Sequence, residues 1–226
     1  MQPASVHPLP WAKPNDRLKA LTVTILSLWF LVALSCSLLG VFDSEQRPPI
    51  PLGAAALLPV VAYAICYLTW TEFRRFVLVA NLRFLTLAQT WRVGGVVFLI
   101  LHYQDLLPSV FALPAGWGDI AIGATAPLMA SAISSKTSFP KKIFVAWNLL
   151  GMLDLVMAVT LGILASASPL GVLAGEITTQ VMGTFPLSLI PTFFVPLLFI
   201  FHLIALGRVW NEAEGEGVMQ SEIKEV

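Results

Sequence analysis

Two charged residues lie inside apolar stretches long enough to cross a membrane, and they are the first candidates for chemistry. Arg92 stands in QTWRVGGVVFLILH and Asp154 in WNLLGMLDLVMAV. A charge in hydrocarbon costs about 2.5–3.5 kcal/mol on insertion scales, so it needs a compensating partner. An ion pair between the two residues would offset both costs. Two roles stay open: a buried clamp between two helices, or a charged site in a polar cavity.

A second group of candidates lies where apolar stretches begin or end. Together with Arg92 and Asp154, these residues form the predicted ligand-binding set: Arg92, His102, Asp105, Asp119, Asp154 and Glu176. In a six-span topology, the four residues other than Arg92 and Asp154 lie on one side of the membrane. Their presence there is expected if they simply form a solvated rim. The sharper interpretation is a vestibule that attracts a cation or an amine, enclosed by two apolar, glycine-containing loops at 111–119 and 167–185.

The stretch FALPAGWGD, residues 111–119, is predicted to be the turn that precedes the fourth helix. Pro114 would end the preceding helix, and Gly116 and Gly118 permit positive φ. Asp119 would then cap the new helix by accepting hydrogen bonds from its first free N–H groups. The same stretch could be a plain turn or the rim of a binding site.

No catalytic residue, metal site or cofactor is predicted. Cys36 and Cys66 each lie inside an apolar run, which indicates packing and not a disulfide framework. His102 and His202 lie on different predicted helices. Counting about 1.5 Å per residue places them at different depths, so one haem is not easily held by both. The HExxH and CxxCH motifs are missing from the sequence.

The composition identifies the class of protein. Of the 226 residues, 57% are hydrophobic and only 12% are charged, against about 25% charged in soluble domains. The apolar residues form long uncharged runs that match the thickness of a bilayer core, about 20 residues each. We therefore predict an all-α polytopic membrane protein whose partner is the lipid bilayer. The formal net charge of zero gives no basic excess for nucleic acid, and the sequence does not predict an oligomeric state.

The apolar runs predict a six-helix transmembrane bundle over residues 16–209. The expected spans are 17–42, 51–72, a helix that starts at the interface near 76 and ends near 107, 119–134, 143–166 and 186–209. A long apolar loop is expected at 167–185. The tails, 1–15 and 210–226, are predicted to be disordered because they are rich in proline or in acidic residues and glycine.

Basic residues orient these six spans. All but two of the thirteen lie on one side of the membrane or in the tails: Lys13, Arg17, Lys19, Arg74, Arg75, Arg83, Lys136, Lys141, Lys142, Arg208 and Lys224. Arg47 alone falls on the other side, and Arg92 is inside a span. Because basic loops stay in the cytoplasm, we predict that both termini are cytoplasmic.

Four stretches carry a resemblance: LTLAQTWR, LPAGWGDIAIGATAP, WNLLGMLDL and PLSLIPTFFVPLLFIFHLIAL. Together they resemble an uncharacterised family of bacterial multi-pass membrane proteins, over about residues 70–207. The resemblance implies a bacterial inner-membrane location and no activity.

The residues favour a protein that binds or transports a small ligand through an outward-facing pocket. Two alternatives remain: a membrane redox or lipid-modifying enzyme that uses His102 with a carboxylate, and a structural or partner-binding subunit.

Overall fold

The computed structural model describes residues 16–43, 48–134 and 141–224, and they form an all-α protein. The elements in chain order are α1 Asp16–Leu38, α2 Ile50–Thr69, α3 Thr71–Leu78, α4 Leu82–Ala88, a 3-10 segment Gln89–Gly95, α5 Val96–Tyr103, α6 Ser109–Ser134, α7 Lys141–Leu164, a 3-10 turn Gln180–Gly183, a π-helical turn Ile190–Phe194 and α8 Val195–Lys224. This part of the chain contains no β-strand.

Five helical stretches are long and apolar enough to span a membrane. They are Asp16–Leu38, Ile50–Thr69, Leu82–Tyr103, Lys141–Leu164 and Ile190–Asn211. The predicted all-α fold is therefore confirmed, and the five apolar helices are compatible with the predicted membrane protein. Helix α6 has 26 residues, but its glycines, prolines and polar side chains leave it outside this group.

The turn before α6 lies earlier than predicted. Residues 111–119 belong to α6, and the chain reverses instead at residues 104–108. There Asp105 adopts a φ of 55°, and the carbonyl of Pro108 accepts the first N–H groups of α6, from Phe111 at 3.1 Å and Ala112 at 2.9 Å. The predicted cap at Asp119 is therefore wrong. Proline and glycine are tolerated in membrane helices because neighbouring helices and side chains form hydrogen bonds with the backbone groups that these residues leave free.

Helix α6 runs antiparallel to both of its neighbours. The rings of Phe98 in α5 and Phe111 in α6 are 5.4 Å apart near one end of the hairpin. Near the other end, Trp147 Nε1 of α7 donates to Thr125 Oγ1 of α6 over 2.9 Å. Helices α5, α6, α7 and α8 consequently form the centre of the bundle. Helices α1 and α2 lie at its edge, since the buried residues are only Ala33 and Ser37 in α1 and only Ala56 in α2.

Proline breaks the start of the last span. Pro191 lies in the π-helical turn and Pro196 one residue into α8, and each leaves a carbonyl without its helical donor. These carbonyls, four residues before each proline, are those of Leu187 and Thr192. The Thr192 carbonyl accepts from the Trp29 indole of α1 over 3.2 Å, and the Leu187 carbonyl accepts from Ile190 N over 3.0 Å. Residues 165–189 fold back on the end of α7, where Thr179 Oγ1 donates to the Gly162 carbonyl over 2.6 Å.

Two predicted boundaries on the C-terminal side are wrong, and one prediction lies outside the described residues. Helix α8 continues to Lys224, beyond the predicted end of the last helix at 209. Glutamate, alanine, methionine and lysine are good helix formers, and they extend a helix that the membrane span has already started. The π-helical turn begins at 190, later than the expected 186. The predicted disorder of residues 1–15 falls outside the described part of the chain.

Candidate functional site

Arg92 lies at the centre of a buried ion network. Its side chain is only 1% exposed. The Nε group donates to Asp119 Oδ1 of α6 over 2.7 Å, Nη1 donates to the Gly151 carbonyl of α7 over 3.0 Å, and Nη2 donates to Asp154 Oδ2 of α7. The predicted contact between Arg92 and Asp154 is therefore present. The second carboxylate, that of Asp119, was expected at a helix terminus and lies instead in the same network.

A histidine and an asparagine complete the network. Asn148 Nδ2 donates to the Phe144 carbonyl over 2.8 Å, so its Oδ1 is the atom that accepts from His202 Nδ1, also over 2.8 Å. His202 is fully buried. With its proton on Nδ1, its Nε2 presents a lone pair to Arg92 Nη1 at 3.3 Å. This chain of hydrogen bonds selects one tautomer and keeps His202 neutral.

The charges in the network do not balance. Two carboxylates, Asp119 and Asp154, face one guanidinium, which gives a formal charge of −1 when both carboxylates are ionised. One oxygen, Asp154 Oδ1, is buried and has no hydrogen-bond partner among the described residues. An unpaired charge in a low-dielectric interior is strongly unfavourable. The network therefore requires either a proton or a bound cation to be neutral.

Two glycines make room for the network. A Cβ atom on Gly118 would overlap the carboxylate of Asp154, and one on Gly151 would come within 2.5 Å of His202 Nε2. Any side chain at these positions would displace a member of the network. Gly118 was predicted to shape a turn; its role is instead to let α6 and α7 approach each other, as small residues do in membrane bundles.

A pocket of about 80 Å³ extends from the network to one end of the bundle. Asp119 lines it, and the walls are mainly apolar side chains, among them Phe98, Phe111 and Leu155. The pocket follows α7 from Leu155 to Ile163 and continues along residues 166–168 in the segment after it. At this end of the bundle the pocket is lined by Phe42, Pro49, residues 166–168, Thr179, Gln180, Met182 and Gly183, which include the hydroxyl groups of serine and threonine and the amide of Gln180. The result is an apolar passage with a carboxylate at its inner end.

Three of the predicted site residues do not join this site. His102 Nδ1 lies 3.1 Å from the Leu107 carbonyl, Asp105 is exposed in the 104–108 turn, and Glu176 is exposed in the 165–189 segment. None of them lines the pocket, so the predicted enclosure of four outer residues under two loops is wrong. Ten residues of α6, about 15 Å of helix, separate the turn from Asp119.

Sequence reasoning missed His202 and Asn148 as members of the site. His202 was considered only as a haem ligand, and both of its ring nitrogens are engaged in the network. Asn148 points about 120° away from Asp154 on a helical wheel, so the spacing of the two residues does not predict a shared face. The residues Asn148, Gly151 and Asp154 nevertheless cover one broad buried side of α7, and a polar residue inside a span is a functional candidate by default. The described residues contain no group of three or more His, Cys, Asp or Glu that could hold a metal ion.

The fold and the site together define a class: an all-α protein with five helices that could span a membrane and a charged network buried among its helices. Within that class, the chain belongs to the family of the domain of unknown function DUF8737, whose model matches residues 49–210. The resemblance to an uncharacterised family is thus confirmed. The matched region contains every residue of the ion network and leaves out α1. Neither the curated proteins nor the solved structures provide a match.

Proposed function

We propose that the protein binds a small organic cation in the pocket that ends at Asp119, as the first step of its transport across the membrane. The observation that carries this proposal is the passage itself, because it connects the end of the bundle to a network with an excess negative charge. A cation beside Asp119 would neutralise that charge. The mainly apolar walls would accommodate the aliphatic part of the same ligand.

The proposal includes six spans, with α6 as the sixth. Its 26 residues make about 39 Å of helix, more than the roughly 30 Å of a bilayer core. Its antiparallel contacts with α5 and α7, both in candidate spans, support the same conclusion. The lower hydropathy of α6 fits a helix that faces protein on several sides and not lipid.

Six spans place the basic residues of the described chain on one side, apart from Arg92 within the network. They are Arg17, Lys19, Arg74, Arg75, Arg83, Lys141, Lys142, Arg208 and Lys224; Lys13, Arg47 and Lys136 lie outside the described residues. By the positive-inside rule this side is the cytoplasm. The pocket then opens to the outer side, in a location that we propose to be a bacterial inner membrane.

Reporter fusions would test this topology. We expect a fluorescent protein fused to either terminus to fold and fluoresce, because both ends are cytoplasmic. We expect alkaline phosphatase, which is active only outside the cytoplasm, to be active when inserted in the 165–189 segment. An active phosphatase at the C terminus would contradict the six-span arrangement.

Binding of a matched pair of probes to the purified protein would test the function. Choline and 3,3-dimethyl-1-butanol have the same shape, but only choline is charged. We expect saturable choline binding by calorimetry and at least tenfold weaker binding of the neutral alcohol, because only the cation compensates the network. Asp119→Asn should remove this preference.

Glu176→Gln is the control for the binding experiment. It removes an acid on the same side of the protein but outside the pocket, so choline binding should be unchanged. Equal binding of both probes would show that the pocket does not select charge. Failure of choline and of the alcohol to bind at all would reject the pocket as a ligand site for molecules of this kind.

A further inference from the structure

We infer that the Asp119–Asp154 pair holds one exchangeable proton and that a cation entering the pocket displaces it. This inference rests on the proposed function and adds the coupling of cation binding to proton release. The observations that carry it are the two-to-one ratio of carboxylates to guanidinium, the unpartnered Asp154 Oδ1 and the position of Asp119 at the end of the pocket.

The charge balance predicts how many protons leave for each cation that binds. In the empty site, one guanidinium and one proton compensate two carboxylates, so the net charge is zero. When a cation occupies the pocket, the guanidinium and the cation compensate the two carboxylates, and the net charge is again zero. The proton leaves to the solvent through the pocket, one for each cation bound. Holding both charges would leave the buried network at +1, and holding neither would leave it at −1.

The carboxylates are the groups that hold this proton. The charged and titratable groups facing them are Arg92 from the 3-10 segment and His202 from α8. Protonation of His202 would place a second cation 3.3 Å from Arg92 Nη1 and would remove the lone pair that faces it. A proton on Asp154 Oδ1 breaks no hydrogen bond, since that oxygen has no donor among the described residues.

Arg92 binds both carboxylates, so a cation beside Asp119 also affects the protonation of Asp154. Its Nε binds Asp119, which lines the pocket, and its Nη2 binds Asp154, which lies deeper against Gly118. Asp119 side-chain exposure is 14% against 9% for Asp154, so the cation meets Asp119 first. The added positive charge there favours ionisation of the pair as a unit.

Proton release on choline binding tests the inference. The purified protein in weakly buffered detergent solution is mixed with choline, and a pH-indicator dye reports the released protons. A quaternary ammonium cannot lose a proton itself, so any release comes from the protein. We expect close to one proton per choline bound at a pH where the pair is protonated. Over the same pH range, choline affinity should rise about tenfold for each unit of pH increase, because the proton and the cation compete.

Asp154→Asn provides the matched variant. It leaves Arg92 and Asp119 as a neutral pair with no exchangeable proton, so choline should bind more weakly, and the binding that remains should release no proton and should not vary with pH. If this variant does not fold, the number of protons released per choline and the change of choline affinity with pH in the unmodified protein still test the coupling. Choline binding without proton release and without pH dependence would overturn the coupling while leaving cation binding intact. Absence of choline binding at every pH would instead reject the proposed function.

Discussion

Arg92→Met is expected to cause the largest loss of stability of any substitution in the ion network. It keeps an apolar side chain of similar length but leaves the carboxylates of Asp119 and Asp154 close together with no counter-charge. Removing one partner of a buried ion pair costs about 3–5 kcal/mol. We expect most of the folded protein to be lost, measured as the monodisperse fraction in size-exclusion chromatography and as the thermal unfolding temperature in detergent.

Neutralising the carboxylates in the same background should restore part of that loss. In the triple variant with Arg92→Met, Asp119→Asn and Asp154→Asn, no buried charge remains uncompensated, and we expect a higher unfolding temperature than for Arg92→Met alone. Asp154→Asn by itself should be mild, since Arg92 keeps its bond to Asp119. If Asp154 were the only partner of Arg92, as the sequence indicates, the same substitution would leave Arg92 with no counter-charge and would cost more. A triple variant no more stable than Arg92→Met would show that shape and not charge governs this site.

Gly118→Ala is the second substitution with a large expected effect. The new methyl group would overlap the carboxylate of Asp154, which must then move away from Arg92 or push α6 and α7 apart. Overpacking of this kind costs about 1–3 kcal/mol, and here it also disturbs an ion pair. We expect a lower unfolding temperature and weaker choline binding.

Gly94→Ala is the control, since its Cβ would meet nothing within 4 Å. Its effect should be small or slightly stabilising, because alanine favours helical backbone by roughly 0.5–1 kcal/mol. A double-mutant cycle with Asp154→Ala would isolate the clash. Once the carboxylate is gone, Gly118→Ala should cost far less. If Gly118→Ala destabilises the protein equally with and without Asp154→Ala, the clash is not with the side chain of Asp154.

The contact between Arg92 and Asp154 could be predicted from the sequence, because it follows from the free-energy cost of a charge in hydrocarbon. Arg92 and Asp154 needed a partner wherever the helices packed, because hydrocarbon offers none, and this argument required no geometry. Asp119 was misplaced because Pro114, Gly116 and Gly118 were interpreted by rules for turns in water. Inside a membrane the same glycines permit close helix contacts and the proline is tolerated. The pairing of His202 with Asn148 depends on the rotation of α7 against α8, which packing determines and composition does not reveal.

The spacing of the network along the chain has a consequence for biogenesis. Asp119 follows Arg92 by 27 residues, Asp154 by 62 and His202 by 110. Helices α5 and α6 can therefore leave the translocon as a hairpin in which Arg92 and Asp119 already neutralise each other. In the proposed topology, Asp154 arrives when that pair is complete, so the uncharged carboxylic acid is the form that enters the bilayer at the lower cost. If the site exchanges a proton as inferred above, the newly inserted protein already carries it.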